Sequence, residues 1–192
     1  MFKIAPGNEF TVIYAFSDGF LGGEPIGGLT QATDGYMYGA NTAGGGYHDG
    51  GGVLYRIDYS GSSDGFYAFP DGGAGSRPQD TMLQHTNGVL YGTTNQGGRL
   101  GGGTFYSFNM GLAPFVNFLP AAGKVGRTVE FLGQGFAGTT DVSFNGITAT
   151  FKVVSDTYLT AVVPAGATTG FATVTITGGG ILSSNKEFRV MP

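Results

Sequence analysis

Cysteine and tryptophan are both missing from the 192 residues, and charge is scarce. Without cysteine there is neither a disulfide framework nor a thiolate nucleophile. Asp, Glu, Lys and Arg make up 11% of the chain, against roughly 25% in an ordinary domain. No cluster of Lys and Arg exists to neutralise a run of phosphates, which argues against nucleic acid as a partner. No apolar run approaches the ~20 residues of a membrane helix. The opening Met1-Phe2-Lys3-Ile4-Ala5-Pro6-Gly7 has no long apolar stretch of the signal-peptide kind. H-E-x-x-H and N-x-[ST] patterns are absent as well. No catalytic residue, metal ligand or cofactor is expected from this sequence.

Glycine and aromatics are abundant instead: 38 Gly, 16 Phe and 10 Tyr. Glycine admits the positive φ of tight turns, and aromatic surface supplies the burial that offsets ordering entropy. Such a composition predicts an all-β, turn-rich fold. Charge divides unevenly, with four basic and nine acidic residues in 1–112 and five and four in 113–192.

Residues 1–112 contain an internal repeat. Tyr14-Ala15-Phe16 returns as Tyr67-Ala68-Phe69, and Asp18-Gly19 as Asp71-Gly72. The same offset takes Pro25 to Pro78, Gln31 to Gln84, and Asp34-Gly35-Tyr36-Met37-Tyr38-Gly39 to Asn87-Gly88-Val89-Leu90-Tyr91-Gly92. After a two-residue deletion, Gly51-Gly52-Val53-Leu54-Tyr55 aligns with Gly102-Gly103-Thr104-Phe105-Tyr106. Two units of about 50 residues are expected, at 10–61 and 63–111. Asp34-Gly35 and Asn87-Gly88 suggest two-residue type I′ hairpin turns, the first with arms at 29–33 and 36–40. Further strands are expected at 11–16 and 53–58. Phe2-Lys3-Ile4 matches Tyr55-Arg56-Ile57, so residues 2–4 read as the last strand of a preceding repeat. Such a strand either closes a ring within the chain, pairs with the edge of another molecule, or is the remnant of a longer array.

The pattern carried by Tyr67, Phe69, Asp71-Gly72, Pro78, Leu83, Gly88, Leu90-Tyr91-Gly92-Thr93-Thr94, Gly97-Gly98, Gly102-Gly103 and Tyr106 resembles a repeat family of long secreted bacterial proteins. The resemblance implies a propeller-blade-like β-repeat domain, with no established activity.

From about residue 113 the texture changes to clean alternation: Thr128-Val129-Glu130-Phe131, Asp141-Val142-Ser143-Phe144, Ala172-Thr173-Val174-Thr175-Ile176-Thr177 and Phe188-Arg189-Val190. Turn signals at Gly133-Gln134-Gly135, Asn145-Gly146, Ser155-Asp156, Pro164-Ala165-Gly166 and Gly178-Gly179-Gly180 separate the strands. Residues 113–192 are therefore expected to form an immunoglobulin-like β-sandwich. Its core rests on Val, Ile, Leu and Phe, without the Cys and Trp of antibody domains. This segment resembles the IPT/TIG family through Pro120-Ala121-Ala122-Gly123, Leu132-Gly133-Gln134-Gly135-Phe136, Val142-Ser143-Phe144-Asn145-Gly146 and Val162-Val163-Pro164-Ala165-Gly166. In bacterial surface proteins the resemblance implies a spacer or interaction module. Gly133-Gln134-Gly135-Phe136-Ala137-Gly138 fits G-x-G-x-x-G, but a strand rather than a helix is expected after it, so it reads as a turn.

The leading functional expectation is a non-catalytic, secreted or cell-surface structural protein, its signal segment absent from this chain. It would self-associate through β-strand edges, up to a filament, with Phe2, Lys3 and Ile4 as the donated strand. The alternative is a carbohydrate-binding or adhesion module using Tyr47, His48, Asp49 and Tyr59 against extracellular glycans. A homo-oligomer or polymer is the expected state in the first case.

Overall fold

The computed structural model describes residues 1–17, 19–45, 50–70 and 73–192. Asp18, Asp71 and Gly72 lie outside the described residues, as do Gly46 and the candidate contacts Tyr47, His48 and Asp49. Among the described residues the fold is all-β, with no α-helix and one short 3-10 turn. The chain divides into two compact units, Met1–Gln84 with Val89–Met110, and His85–Gly88 with Gly111–Pro192.

Among the described residues the first unit has ten strands: β1 Phe2–Ala5, β2 Glu9–Val12, β3 Thr30–Gln31, β4 Met37–Asn41, β5 Val53–Ile57, β6 Ser63–Ala68, β7 Ser76–Pro78, β8 Leu83–Gln84, β9 Leu90–Gln96 and β10 Thr104–Phe108. They form three layers: the hairpin β1-β2, the sheet β3-β4-β5-β6, and a sheet in which β9 pairs with β10 on one edge and with β7 and β8 on the other. Strand 11–16 differs from expectation. Extended pairing stops at Val12, where the N–H groups of Ile13 and Tyr14 turn to the Met1 carbonyl. Tyr14 and Phe16 then pack on the second layer instead of continuing the ladder. Phe2-Lys3-Ile4 lies in β1, which pairs antiparallel with β2, Phe2 opposite Val12 and Ile4 opposite Phe10.

The second layer is buried on both faces. Tyr38, Ala40 and Leu54 fill one face, Tyr55 and Ile57 the other. The third layer is buried on one face only, through Leu90 and Thr94, while Phe105 and Leu83 stand exposed on the opposite side. Glycine matters inside these sheets through its missing Cβ. Gly39 lies opposite Tyr55 and Gly92 opposite Tyr106. A Cβ at Gly39 would sit 2.6 Å from the Tyr55 hydroxyl, and one at Gly92 would collide with the Tyr106 ring. Each tyrosine covers the backbone of its cross-strand glycine.

The turns at Asp34-Gly35 and Asn87-Gly88 are not type I′. Only the glycines have positive φ, 86° and 88°, and the Gly35 N–H bonds the Ala32 carbonyl while the Gly88 N–H bonds that of His85. In the first hairpin Ala32 N–H also reaches the Tyr36 carbonyl, leaving three residues in the loop. A type I turn followed by a left-handed glycine serves that length. The two-residue form occurs at Asn145-Gly146, both with positive φ, where Phe144 pairs directly with Ile147.

The second unit has β11 Asn117–Leu119, β12 Ala122–Gly123, β13 Thr128–Leu132, β14 Thr139–Phe144, β15 Ile147–Thr148, β16 Phe151–Ser155, β17 Tyr158–Val162, β18 Gly170–Ile176 and β19 Gly180–Val190. One sheet runs β11-β13-β17-β16, the other β12-β19-β18-β14-β15. Alternation is strict where the sequence alternates: Val129 and Phe131 are buried, Thr128, Glu130 and Leu132 exposed. Between the sheets Phe118, Phe131, Phe144 and Phe188 form an edge-to-face cluster with ring centroids 5.0–5.9 Å apart, the favoured aromatic geometry. This is an Ig-like β-sandwich.

Candidate functional site

The hairpin β1-β2 is the most unusual surface of the first unit. Pro6-Gly7-Asn8 reverses the chain with Gly7 and Asn8 at positive φ, and the Asn8 N–H closes on the Ala5 carbonyl at 3.1 Å. The register then sends every even-numbered side chain to one face, because strand side chains alternate. Phe2, Ile4, Phe10 and Val12 occupy that face, and all four are large, apolar and exposed, Phe2 and Ile4 by 60% and 62%. The Phe2 and Phe10 rings touch at 5.1 Å. Lys3, Ala5, Glu9 and Thr11 take the other face. Among the described residues no strand pairs with the second edge of β1. Of the expected donor residues, Phe2 and Ile4 thus lie on the apolar face, and Lys3 on the polar one. Phe10 and Val12 were missed because their partnership depends on the hairpin register.

The expected glycan contacts do not come together within the described residues. Tyr59 is exposed on the tight turn between β5 and β6. There the Asp58 carboxylate accepts from the Ser60 N–H at 2.8 Å, the Ser60 hydroxyl at 2.6 Å and the Ser62 N–H at 3.0 Å. The Ser60 hydroxyl leads these bonds in holding the Asp58 carboxyl below its usual range. Tyr47, His48 and Asp49 lie outside the described residues. A shallow groove of about 300 Å³ elsewhere in the unit is lined by Tyr14, Phe20, Leu21, Ser63 and Asp64, among others. Its carboxylate is already paired, Asp64 with Arg56 at 3.3 Å.

Buried polar groups in the first unit serve packing. Asp80 Oδ2 accepts from the Thr93 N–H at 2.6 Å and its hydroxyl at 3.0 Å, tying the β7–β8 connection to β9. Burial raises the Tyr106 phenol above its ordinary range, with the Asp80 charge adding to it. Burial likewise pushes Tyr55 up to about 12, and Tyr38 up to about 12 with help from the hydrogen bond it donates to Asp34 at 2.8 Å. Among the described residues no group of three His, Asp or Glu side chains is placed to hold a metal ion. No helix there is long and apolar enough to cross a membrane.

In the second unit the G-x-G-x-x-G stretch is a turn. Gly135 is left-handed, residues Phe136–Gly138 form one 3-10 turn, and β14 follows. The Asp156 carboxylate accepts from the N–H groups of Gly135 at 3.3 Å and Ala137 at 3.1 Å. A side-chain carboxylate therefore already occupies the amides that a phosphate would need.

No curated protein matches the chain. Among solved structures, a protein of Bacteroides thetaiotaomicron VPI-5482 provisionally named a phosphatase is 26% identical, with a TM-score of 0.36. That match covers 39% of this chain and 17% of the other. The gamma-CGTase of alkalophilic Bacillus clarkii is 17% identical, also with a TM-score of 0.36, over 81% of this chain and 24% of its own. The chain thus spans about a quarter or less of either protein. Residues 115–190 match the family model of the IPT/TIG domain, and the C-terminal sandwich is an IPT/TIG domain.

Proposed function

We propose that this protein is a non-catalytic structural component of the cell exterior that associates with copies of itself through its N-terminal unit. The IPT/TIG domain, a common Ig-like extracellular module, serves as spacer or contact arm. One observation carries the reading. The hairpin β1-β2 exposes four large apolar side chains on one face and an unpaired edge on β1, among the described residues. A two-stranded hairpin is marginal alone, and burying each such side chain contributes roughly 1.5–3 kcal/mol. An open edge beside an apolar face favours association.

The N-terminal unit is read as a series of β-repeats. Support comes from the strand registers. Thr30 opposite Tyr38 and Gln31 opposite Met37 recur 53 residues on as Leu83 opposite Tyr91 and Gln84 opposite Leu90. Phe2 opposite Val12 and Lys3 opposite Thr11 recur as Tyr55 opposite Gly65 and Arg56 opposite Asp64. The pairings follow the same offset as the sequence.

Light scattering over a dilution series tests the function. The expected result is a mass that rises with concentration and is lost in Ile4→Asp, whose circular dichroism stays unchanged. A wild-type chain that is monomeric at every concentration refutes it.

A further inference from the structure

The geometry points to the way copies join: head to tail, the Phe2/Ile4/Phe10/Val12 face of one copy lying on the Leu83/Phe105 face of the next. This rests on the self-association proposed above and replaces a contact between strand edges with one between sheet faces.

The first unit already makes this kind of contact twice. Between the first and second layers Tyr14 lies against Phe16 at 5.0 Å, and Phe16 against Tyr55 at 5.1 Å. Between the second and third layers Tyr67 lies against Phe69 at 4.9 Å, and Phe69 against Tyr106 at 5.4 Å. The residues correspond under the repeat: Tyr14 to Tyr67, Phe16 to Phe69, Tyr55 to Tyr106. Tyr67 and Phe66 also meet Phe108, the counterpart of Ile57. The β3 region adds polar contacts to the same interface. Gly28 N–H donates to the Thr81 hydroxyl at 2.8 Å, and the Gln84 amide bonds Thr33 from both ends at 2.9 and 3.1 Å.

Each layer therefore has a front and a back. The back of the second layer presents Tyr55 and Ile57, 3% and 0% exposed because Met1, Ile13, Tyr14 and Phe16, which flank the first hairpin, pack on them. The same positions in the first layer are Phe2 and Ile4, both exposed. The front of the second layer presents Leu54, which is fully buried; its counterpart in the third layer is Phe105, which is 72% exposed. Leu83, the counterpart of Thr30, stands exposed on the same front face. One end of the series displays an uncovered back and the other an uncovered front. The back is the half used twice inside; the front offers Leu83 and Phe105 where the internal contacts use the Tyr14/Phe16 and Tyr67/Phe69 pairs.

A second copy is the occupant that supplies the complementary half to both ends at once. Back against back would reverse the polarity of both internal contacts. Edge pairing through β1 would engage four residues, Phe2–Ala5, and leave the apolar face in water. Front on back is a heterologous contact, which continues into an open chain of molecules unless rotation closes it.

Complementation decides between these arrangements. Ile4→Asp spoils the back and leaves the front intact; Leu83→Asp does the reverse. Both sites are exposed, so neither substitution should disturb the fold, and circular dichroism and Tm serve as controls. Each variant alone is expected to be monomeric, and an equimolar mixture to form a dimer of twice the chain mass and nothing larger. The sequence holds no cysteine, so Val12→Cys and Ser107→Cys each introduce one thiol, one per face. A short bismaleimide is expected to link the two variants to one another in preference to themselves. Three results overturn the proposal. If Leu83→Asp still polymerises, or Val12→Cys links mainly to itself, self-association stands and the head-to-tail contact falls. A monomeric wild type removes both.

Discussion

Tyrosine shows how a single side chain is shaped by where the layers place it. Tyr38 and Tyr55 are buried, and both phenols are pushed up to about 12, from an ordinary value of ~10. The unfolded chain releases these protons first, so it binds fewer protons above pH ~10, and stability falls as pH rises. The contribution is complete below pH ~10 and is lost as pH rises toward 12. Thermal melts at stepped alkaline pH are expected to show a falling Tm across that window, in step with tyrosinate absorbance. A flat Tm would mean that these phenols are reached by solvent. From sequence these tyrosines read only as β-forming aromatics, because periodicity in a strand buried on both faces does not mark which residue lies deepest.

Among elements, the C-terminal strands were the most legible. β13, β17 and β18 each have one face against a core, so apolar and polar residues alternate visibly. Phe144 on β14 touches Phe131 of the facing sheet at 5.7 Å and Phe188 of its own at 5.0 Å. Phe144→Ala opens a cavity at that junction and is expected to cost about 3–5 kcal/mol. Urea denaturation followed by near-ultraviolet circular dichroism will measure it; a loss under 1 kcal/mol would mean that the two sheets close over the gap. The N-terminal elements were less legible. The strand expected at 11–16 ends early because Tyr14 and Phe16 gain more by packing on Tyr55 than by extending a hairpin. Neither expected type I′ turn forms: at Asp34-Gly35 pairing stops one residue sooner than the signal implies, leaving a three-residue loop, and at Asn87-Gly88 only the glycine has positive φ.

For the whole molecule, an interface with unlike halves predicts a distribution of sizes. Sedimentation velocity at rising concentration is expected to broaden toward larger species without a plateau at the dimer. A sharp, concentration-independent dimer would indicate a two-fold contact and contradict the front-to-back arrangement. The sequence by itself determined the all-β class, the recurrence of Tyr-Ala-Phe and Tyr-Gly at a constant offset, and the Ig-like alternation of the C-terminal part. Each of these is written in local pattern: turn residues, aromatic spacing and period-2 burial. Only the tertiary structure decided that Phe2-Lys3-Ile4 pairs with a strand just after it, and that Phe10 and Val12 join its apolar face. It alone placed Phe105 in solvent while burying its counterpart Leu54. A side chain's exposure depends on which layer lies against it, and that contact is made by residues roughly fifty positions away, beyond the reach of any local pattern.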